Sequence, residues 1–302
     1  SFPTRRSSDL DIFMKIAASE EIMRAGSGGL AASLGSLDIG LPPIENWASQ
    51  ELKERIVPAV LRGEKIAALA ITEPSGGSDV ANLKTRAESD GDYYRVNGSK
   101  TFITSGHRAD YYTVAVRTGG EGYGGISLLL IERDRAGFSV GQPLKKMGWW
   151  ASDTAELFFN DVLVPKSNII GAENAGFFVI MSNFQKERLN LAVMANMTAQ
   201  LALEECLKYV HQRVAFGKPL AKMQVIRHKL ADMATDLEAS KEFTYRVAAQ
   251  IASGIPAVKE VSMAKNFATR ISDSVTYEAV QIFGGMGFMR ESLVEQIGRA
   301  HV

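Results

Sequence analysis

The sequence predicts an α+β multidomain fold: a helical N-terminal part, an antiparallel β-barrel-like middle domain and a C-terminal helical bundle. Three observations predict it. Apolar residues recur at helical spacing up to about residue 62 and again after residue 175, but with a period of two between 66 and 165. Strands and helices are segregated along the chain rather than alternating, which argues against a parallel βαβ sheet. Finally, 302 residues at 46% hydrophobic and 23% charged are enough to fill more than one core. The boundaries expected are 1–65 for a partial N-terminal helical domain, 66–168 for the β domain and 169–302 for a truncated bundle.

In the first block Ile12, Ile16 and Ala17, then Leu52, Ile56, Val60 and Leu61, recur at helical spacing, four residues apart or adjacent. Between them Gly26-Ser27-Gly28-Gly29-Leu30-Ala31 fits the loose pattern G-x-G-x-x-A. No strand precedes it and no acidic residue is placed to hold a ribose, so a dinucleotide site lacks its context. In the middle block, runs such as Ala67 to Thr72, Tyr93 to Val96, Lys100 to Thr104, Tyr111 to Arg117, Ile126 to Glu132 and Ala155 to Phe159 have strand length. Asn97-Gly98 supplies the two positive-φ positions of a type I′ turn, so a hairpin is expected there. No helix longer than two turns is expected between Lys84 and Glu132. The last block reads as three long helices, broken near Gly217-Lys218-Pro219 and Gly254-Ile255-Pro256.

Composition excludes several functions. Thirty-four Lys and Arg balance 34 Asp and Glu, with no dense basic cluster, which argues against nucleic-acid binding. The single cysteine, Cys206, rules out an internal disulfide framework and a Cys-based zinc site, and among Leu201, Leu203 and Leu207 it reads as packing. His107, His211, His228 and His301 show no paired helical spacing, so no metal is expected. The apolar runs are too short to span a bilayer, and no signal segment opens the chain. It begins Ser1-Phe2-Pro3, which reads as a processed or partial chain.

Chemistry first shows where the strand ending at Ile71 turns polar. Thr72-Glu73-Pro74-Ser75-Gly76-Gly77-Ser78-Asp79 offers hydroxyls, a rigid Pro turn and backbone N–H groups freed by glycine. That suits a polar ring edge or a phosphate; an ordinary β-turn with Asp79 capping its own backbone fits as well. A second signal lies on the first bundle helix, expected over 175–216. Ile180, Phe184, Glu187, Leu191 and Met194 advance by four, three, four and three, one apolar stripe with a carboxylate at its centre. A carboxylate in such a stripe needs a partner or a purpose: catalysis, a salt bridge within the bundle, or a subunit interface.

Six motifs, in order, then resemble the acyl-CoA dehydrogenases, a family of FAD flavoproteins. They are Ile71-Thr72-Glu73-Pro74 with Gly77-Ser78-Asp79, Lys100-Thr101-Phe102-Ile103-Thr104, Ala151-Ser152-Asp153-Thr154-Ala155-Glu156-Leu157, Glu187-Arg188-Leu189, Arg213-Val214-Ala215-Phe216-Gly217, and Gln281 through Phe288. The resemblance implies FAD held by Leu69, Ile71, Thr72, Gly77, Ser78, Phe102, Ile103 and Thr104, with Thr72 and Thr104 hydrogen-bonding the isoalloxazine edge. In many relatives the place of Phe102 is Trp. Arg213, Phe216, Gln224, Gln281, Gly284 and Gly285 resemble residues that reach the FAD of a neighbouring subunit. Read without the family, Arg213 is a solvated cation at a helix end.

The activity implied is α,β-dehydrogenation of an acyl-CoA thioester to trans-2-enoyl-CoA. A carboxylate takes the α-proton while the β-hydride passes to the flavin, and an electron-transferring flavoprotein accepts the electrons. Some relatives carry the base on a Tyr-Glu-Gly-Thr loop that would follow residue 302; others carry it in the Glu-Arg-Leu context, which here is Glu187. Glu187 is thus the expected catalytic base, its side chain facing inward with little solvent access, and Ser78, Phe184 and Arg188 are expected at the substrate. The resemblance further implies a homotetramer or homodimer, in a bacterial cytoplasm or a mitochondrial matrix. Alternatives on the same fold are an oxygen-using acyl-CoA oxidase-like or nitroalkane-oxidising flavoprotein, or an inactive fragment. Ser1 to Leu10 and Gln296 to Val302 fit the family poorly and read as foreign or truncated ends.

Overall fold

The computed structural model describes residues 11–300. They divide into two compact units. The β unit holds residues 32–146 and 150–184; the helical unit holds the segment ending at 31, residues 147–149, and the chain from 185 onward. His301 and the first ten residues lie outside the described residues.

The β unit takes in the greater part of α2 (Gly28–Gly40) and then two further helices, α3 (Pro42–Trp47) and α4 (Gln50–Leu61). Ser49 caps α4 by accepting the Leu52 N–H at 3.2 Å, and Leu52, Ile56 and Val60 form its buried stripe. The strands are β1 (Ala67–Ala70), β2 (Arg86–Asp90), β3 (Tyr93–Thr104), β4 (Tyr111–Arg117), β5 (Ile126–Glu132), β6 (Phe138–Val140), β7 (Thr154–Pro165) and β8 (Ile169–Ile170). They form one sheet in the order β6-β7-β3-β2-β4-β5-β8, with β1 beside β4. β4 and β5 are buried on both faces, so they read as continuous apolar runs. Ile126, Leu128 and Leu130 pack with Ile44, Leu52 and Ile56 of the helices, whereas Leu129 and Ile131 pack with Val114, Val116, Val96 and Leu157.

Two expectations need correction here. The sheet is mixed and open, not a closed antiparallel barrel: β1 runs parallel to β4, β2 meets β4 in parallel at Arg86↔Arg117, and the end strands β6 and β8 do not pair. The alternation that marks each strand carries no information about its neighbour's direction. Nor is Asn97-Gly98 a turn. β3 runs straight through it with a register shift against β7, and the reversal into β3 falls at Gly91 (φ +56). Asn97 is occupied across the sheet: its Nδ2 donates to Asp161 Oδ1 at 3.0 Å, and its Oδ1 accepts the Asp161 N–H at 2.8 Å. Gly98 is required by proximity, because a Cβ there would sit 2.7 Å from Thr85 Cα. As expected, between 84 and 132 the only helical piece is the single turn Tyr123–Gly125.

The helical unit is built from α1 (Ile12–Met23), the greater part of α5 (Gly176–Gln212), α6 (Gln224–Ala252), α7 (Val258–Phe283) and α8 (Leu293–Ala300). One core joins Ala199, Leu203, Cys206 and Val210 of α5 to Met233 and Leu237 of α6 and Ile271, Val275 and Ala279 of α7. A second joins Ile16, Leu189, Ala192 and Val193 to Val247, Val261 and Ala264. Cys206 is fully buried there, its thiol pushed up to about 12 by burial, which suits packing and not nucleophilic chemistry. Helix α2 (Gly28–Gly40) starts inside the glycine pattern, where Ser27 Oγ accepts the Leu30 N–H at 3.3 Å. A Cβ on Gly28 would meet the Trp149 indole nitrogen at 2.4 Å, so this glycine serves packing.

Candidate functional site

In the β unit the chain leaves β1 at Ile71 and makes a tight turn. The Glu73 N–H donates to Gly76 O at 3.1 Å, and the Gly76 N–H returns to Glu73 O at 3.0 Å. The Glu73 side chain points inward and is buried with Lys100 from β3, which is completely buried. Lys100 Nζ donates to Glu73 Oε1 at 2.7 Å and to the Ile71 carbonyl at 3.1 Å. The carboxylate also accepts the backbone N–H groups of Lys84 at 2.6 Å and Thr85 at 2.9 Å. Burial drags the Lys100 ammonium down to about 8, with the Glu73 carboxylate opposing. Burial works against the Glu73 carboxylate too, but Lys100 and the hydrogen bonds outweigh it and hold its pKa below the usual range.

One further bond joins the segments that the sequence motifs single out. The Thr101 N–H donates to the Thr72 carbonyl at 2.9 Å, bringing Thr72 and the 102–104 stretch side by side although they are thirty residues apart. Past Thr101 the β3–β7 pairing slips between Lys100 and Ile103. Such a bulge re-aims a side chain. Phe102 is left 67% exposed with φ +58, a conformation costly for a bulky residue. Ile103 is buried, and Thr104, half-buried, pairs with Thr154. Leu69 and Thr72 are half-buried, Ile71 is buried, and Gly77 and Ser78 are open to solvent. Gly77 lies against Thr72, where a Cβ would touch its methyl group at 3.0 Å. The expected residues of this group therefore come together. A separate cleft of about 560 Å³, lined by Arg108, Lys145, Lys146, Trp150 and Asp153 among others, contains none of them.

Phe184 is half-buried against the α3–α4 side of the β unit. In the helical unit Glu187 and Arg188 are also half-buried on α5. Burial raises the Glu187 carboxyl to about 7, and the charge of Arg188 opposes the rise. The stripe expected through it is only partly observed. Ile180 and Met194 are buried, but Leu191 is 37% exposed, and the buried face at that level is Leu189, Ala192 and Val193 instead. A spacing of four and three fits either of two adjacent helix faces, and the packed one is set by α6 and α7.

The third group gathers at one end of the helical unit. β9 (Val214–Ala215) and β10 (Lys218–Pro219) form a small hairpin whose two-residue turn is Phe216-Gly217, φ +51 and +75, the combination a type I′ turn requires. Phe216 is 94% exposed. Arg213 is solvent-exposed, its backbone held by Tyr209 O and the Leu220 N–H, each at 2.9 Å. Gln224 opens α6, exposed. Exposed Gln281 lies in the last turn of α7, which ends at Gly284 (φ +58), and Gly284 and Gly285 have open space beside their α-carbons. Tyr209, which sequence reasoning missed, ties the two parts together: its ring stacks on Phe283 at 4.1 Å and its hydroxyl donates to Phe283 O at 3.3 Å. The Glu73–Lys100 pair was missed as well, although Lys100 falls on the buried phase of β3 with Tyr94 and Val96, a detectable breach of alternation. Among the described residues no cluster of His, Cys, Asp or Glu could hold a metal ion, and no helix is long and apolar enough to cross a membrane.

Helices, then a mixed sheet, then helices, with these motifs at these places, define the class. Family models for the N-terminal, middle and C-terminal domains of acyl-CoA dehydrogenases match residues 6–64, 68–162 and 174–301. The chain belongs to the acyl-CoA dehydrogenase family, oxidoreductases acting on CH–CH groups. It is similar to an acyl-CoA dehydrogenase of Bacillus subtilis, 39% identical over 96% of this chain and 76% of the relative. Among solved structures it resembles a probable acyl CoA dehydrogenase from Mycobacterium abscessus, with TM-score 0.93 and 52% identity over 95% of this chain and 76% of that one. It also resembles an acyl-CoA dehydrogenase from Bacillus anthracis complexed with FAD, with TM-score 0.88 and 32% identity over 97% of this chain and 53% of that one. The C-terminal match takes in the segment from Gln296 that the sequence reading set apart.

Proposed function

We propose that this chain binds FAD and an acyl-CoA thioester and catalyses α,β-dehydrogenation to the trans-2-enoyl-CoA, with an electron-transferring flavoprotein as electron acceptor. The observation that carries the reading is the bond from Thr101 to Thr72, which sets two hydroxyl-bearing segments beside an exposed aromatic face. The residues present fit a flat ring with a polar edge: Thr72 and Thr104 offer hydroxyl groups, Phe102 offers a π-face, and open space beside Gly76 admits a close approach. Leu69, Ile71, Gly77, Ser78 and Ile103 complete the group that would hold it. FAD, when bound there, supplies the acceptor for the substrate's β-hydride.

Removing the α-proton is the chain's own task. Glu187 is the group proposed for it, because a carboxyl raised to about 7 is poised to accept a proton near neutral pH, whereas an ordinary solvated one is far too weak a base. Ser78, Phe184 and Arg188 are proposed at the substrate, Arg188 as an orienting cation. The exposed group of Arg213, Phe216, Gln224, Gln281, Gly284 and Gly285 is proposed to serve the FAD of a second copy in a homo-oligomer: the guanidinium suits a pyrophosphate, and the bare glycines suit backbone approach. A strained, almost fully exposed Phe216 is otherwise a cost without a return.

The test is to add FAD, remove oxygen and titrate with C4, C8 and C16 acyl-CoA. Bleaching of the flavin band, with recovery on adding electron-transferring flavoprotein, is expected for at least one chain length. Absence of bleaching with every thioester, or rapid reoxidation by O2 to peroxide, would overturn the dehydrogenase assignment.

A further inference from the structure

We propose that the buried Lys100–Glu73 ion pair is a positioning device, setting the distance between the two segments assigned to the flavin; the inference rests on the flavin reading above. Its basis is the way two consecutive residues of β3 grip three consecutive residues of the turn. Lys100 Nζ takes the Ile71 carbonyl on one side of Thr72 and the Glu73 carboxylate on the other, and the Thr101 N–H takes the Thr72 carbonyl between them. Thr72 is thus clamped before, at and after its own position. The residues that follow the clamp on β3 are Phe102 and Thr104, the other half of the proposed ring site.

The network also closes on itself. Glu73 accepts the Thr85 N–H, and Thr85 Oγ1 donates to the carbonyl of Ser99, the neighbour of Lys100. Both Glu73 oxygens and the Ile71 and Thr72 carbonyls are engaged, and such a network fixes one geometry. Hydrophobic residues of similar volume would fill the space as well or better, because a buried ion pair returns little net stability. What apolar residues cannot supply is a directed grip on the Ile71 carbonyl and on the turn at Glu73. Lys100 and Glu73 are therefore positioning residues, acting through Thr72.

The experiment compares the parent chain with the double variant Lys100→Met/Glu73→Gln, which removes both charges and leaves neither ion unpaired. FAD dissociation constants are read by flavin fluorescence, and amide hydrogen exchange is followed in the FAD-free proteins. The double variant should bind FAD at least tenfold more weakly. Amides of 71–78 and 100–104 should exchange at least tenfold faster, while those of β4 and β5 keep their protection. Unchanged FAD affinity, or protection lost equally across the whole sheet, would overturn the inference. Should the double variant fail to fold, Glu73→Asp withdraws the carboxylate by one methylene and keeps the charge; FAD binding should weaken at least threefold, and an unaltered constant would be equally contrary. A parent chain that binds no FAD overturns the flavin reading and this inference with it; a parent that binds FAD beside an unaffected variant overturns this inference alone.

Discussion

Glu187 shows how a single residue takes on chemistry from its surroundings. Burial raises its carboxyl from an ordinary 4.5 to about 7, against the pull of Arg188 next to it in sequence. Two consequences follow from the sign of that shift. As the proposed base, Glu187 would have to be ionised to act, so kcat/KM for an acyl-CoA should rise about tenfold between pH 6 and pH 8, half-maximal near 7. For stability the direction is opposite. Between 4.5 and 7 the folded chain holds a proton that the unfolded chain has released, so this carboxyl's contribution is complete below 4.5 and lost as pH rises through 7. Glu187→Gln does not titrate, and its melting temperature should exceed the parent's by a few degrees at pH 8, with the gain gone at pH 4.5. A gain independent of pH would locate the strain elsewhere.

Elements were legible in the sequence wherever their own apolar pattern decided them. The helix breaks at Gly217 and Gly254 and the strand runs of β4 and β5 follow from local spacing. What could not be read locally was set by a partner distant in sequence. Asn97-Gly98 has the composition of a type I′ turn, yet Asn97 is engaged by Asp161 and Gly98 by the approach of Thr85. The type I′ geometry appears instead at Phe216-Gly217, where a phenylalanine in the left-handed region defies propensity. Two substitutions test these roles. Gly98→Val should destabilise the β unit by about 1–3 kcal/mol through overpacking against Thr85, read as a lowered denaturant midpoint. Leu128→Ala, beneath α4, should cost about 2–5 kcal/mol. A Gly98→Val variant as stable as the parent would mean that β3 can shift away from Thr85 without loss.

At the scale of the whole molecule, the order of blocks, the mostly antiparallel pairing and the approach of the 72 and 102–104 segments to each other were readable, because the motifs lie on elements of the expected type. The parallel β1–β4 and β2–β4 pairings, the open sheet edge and the Lys100–Glu73 clamp were not, since each joins residues far apart along the chain. If FAD binds the folded chain only, saturating it should raise the melting temperature in proportion to RT ln(1 + [FAD]/Kd), about 2.7 kcal/mol of added stability at a hundredfold excess over Kd. If Arg213 serves the FAD of a second copy as proposed, Arg213→Ala should weaken that gain, and only in the assembled oligomer. The most direct test of the account is the single-turnover rate of flavin reduction by acyl-CoA, measured anaerobically by stopped flow in the FAD-loaded chain and in Glu187→Gln. The account predicts that the variant retains its flavin spectrum while reduction slows by about 10²–10⁴. Reduction at the parent's rate would contradict it and place the proton acceptor on another residue.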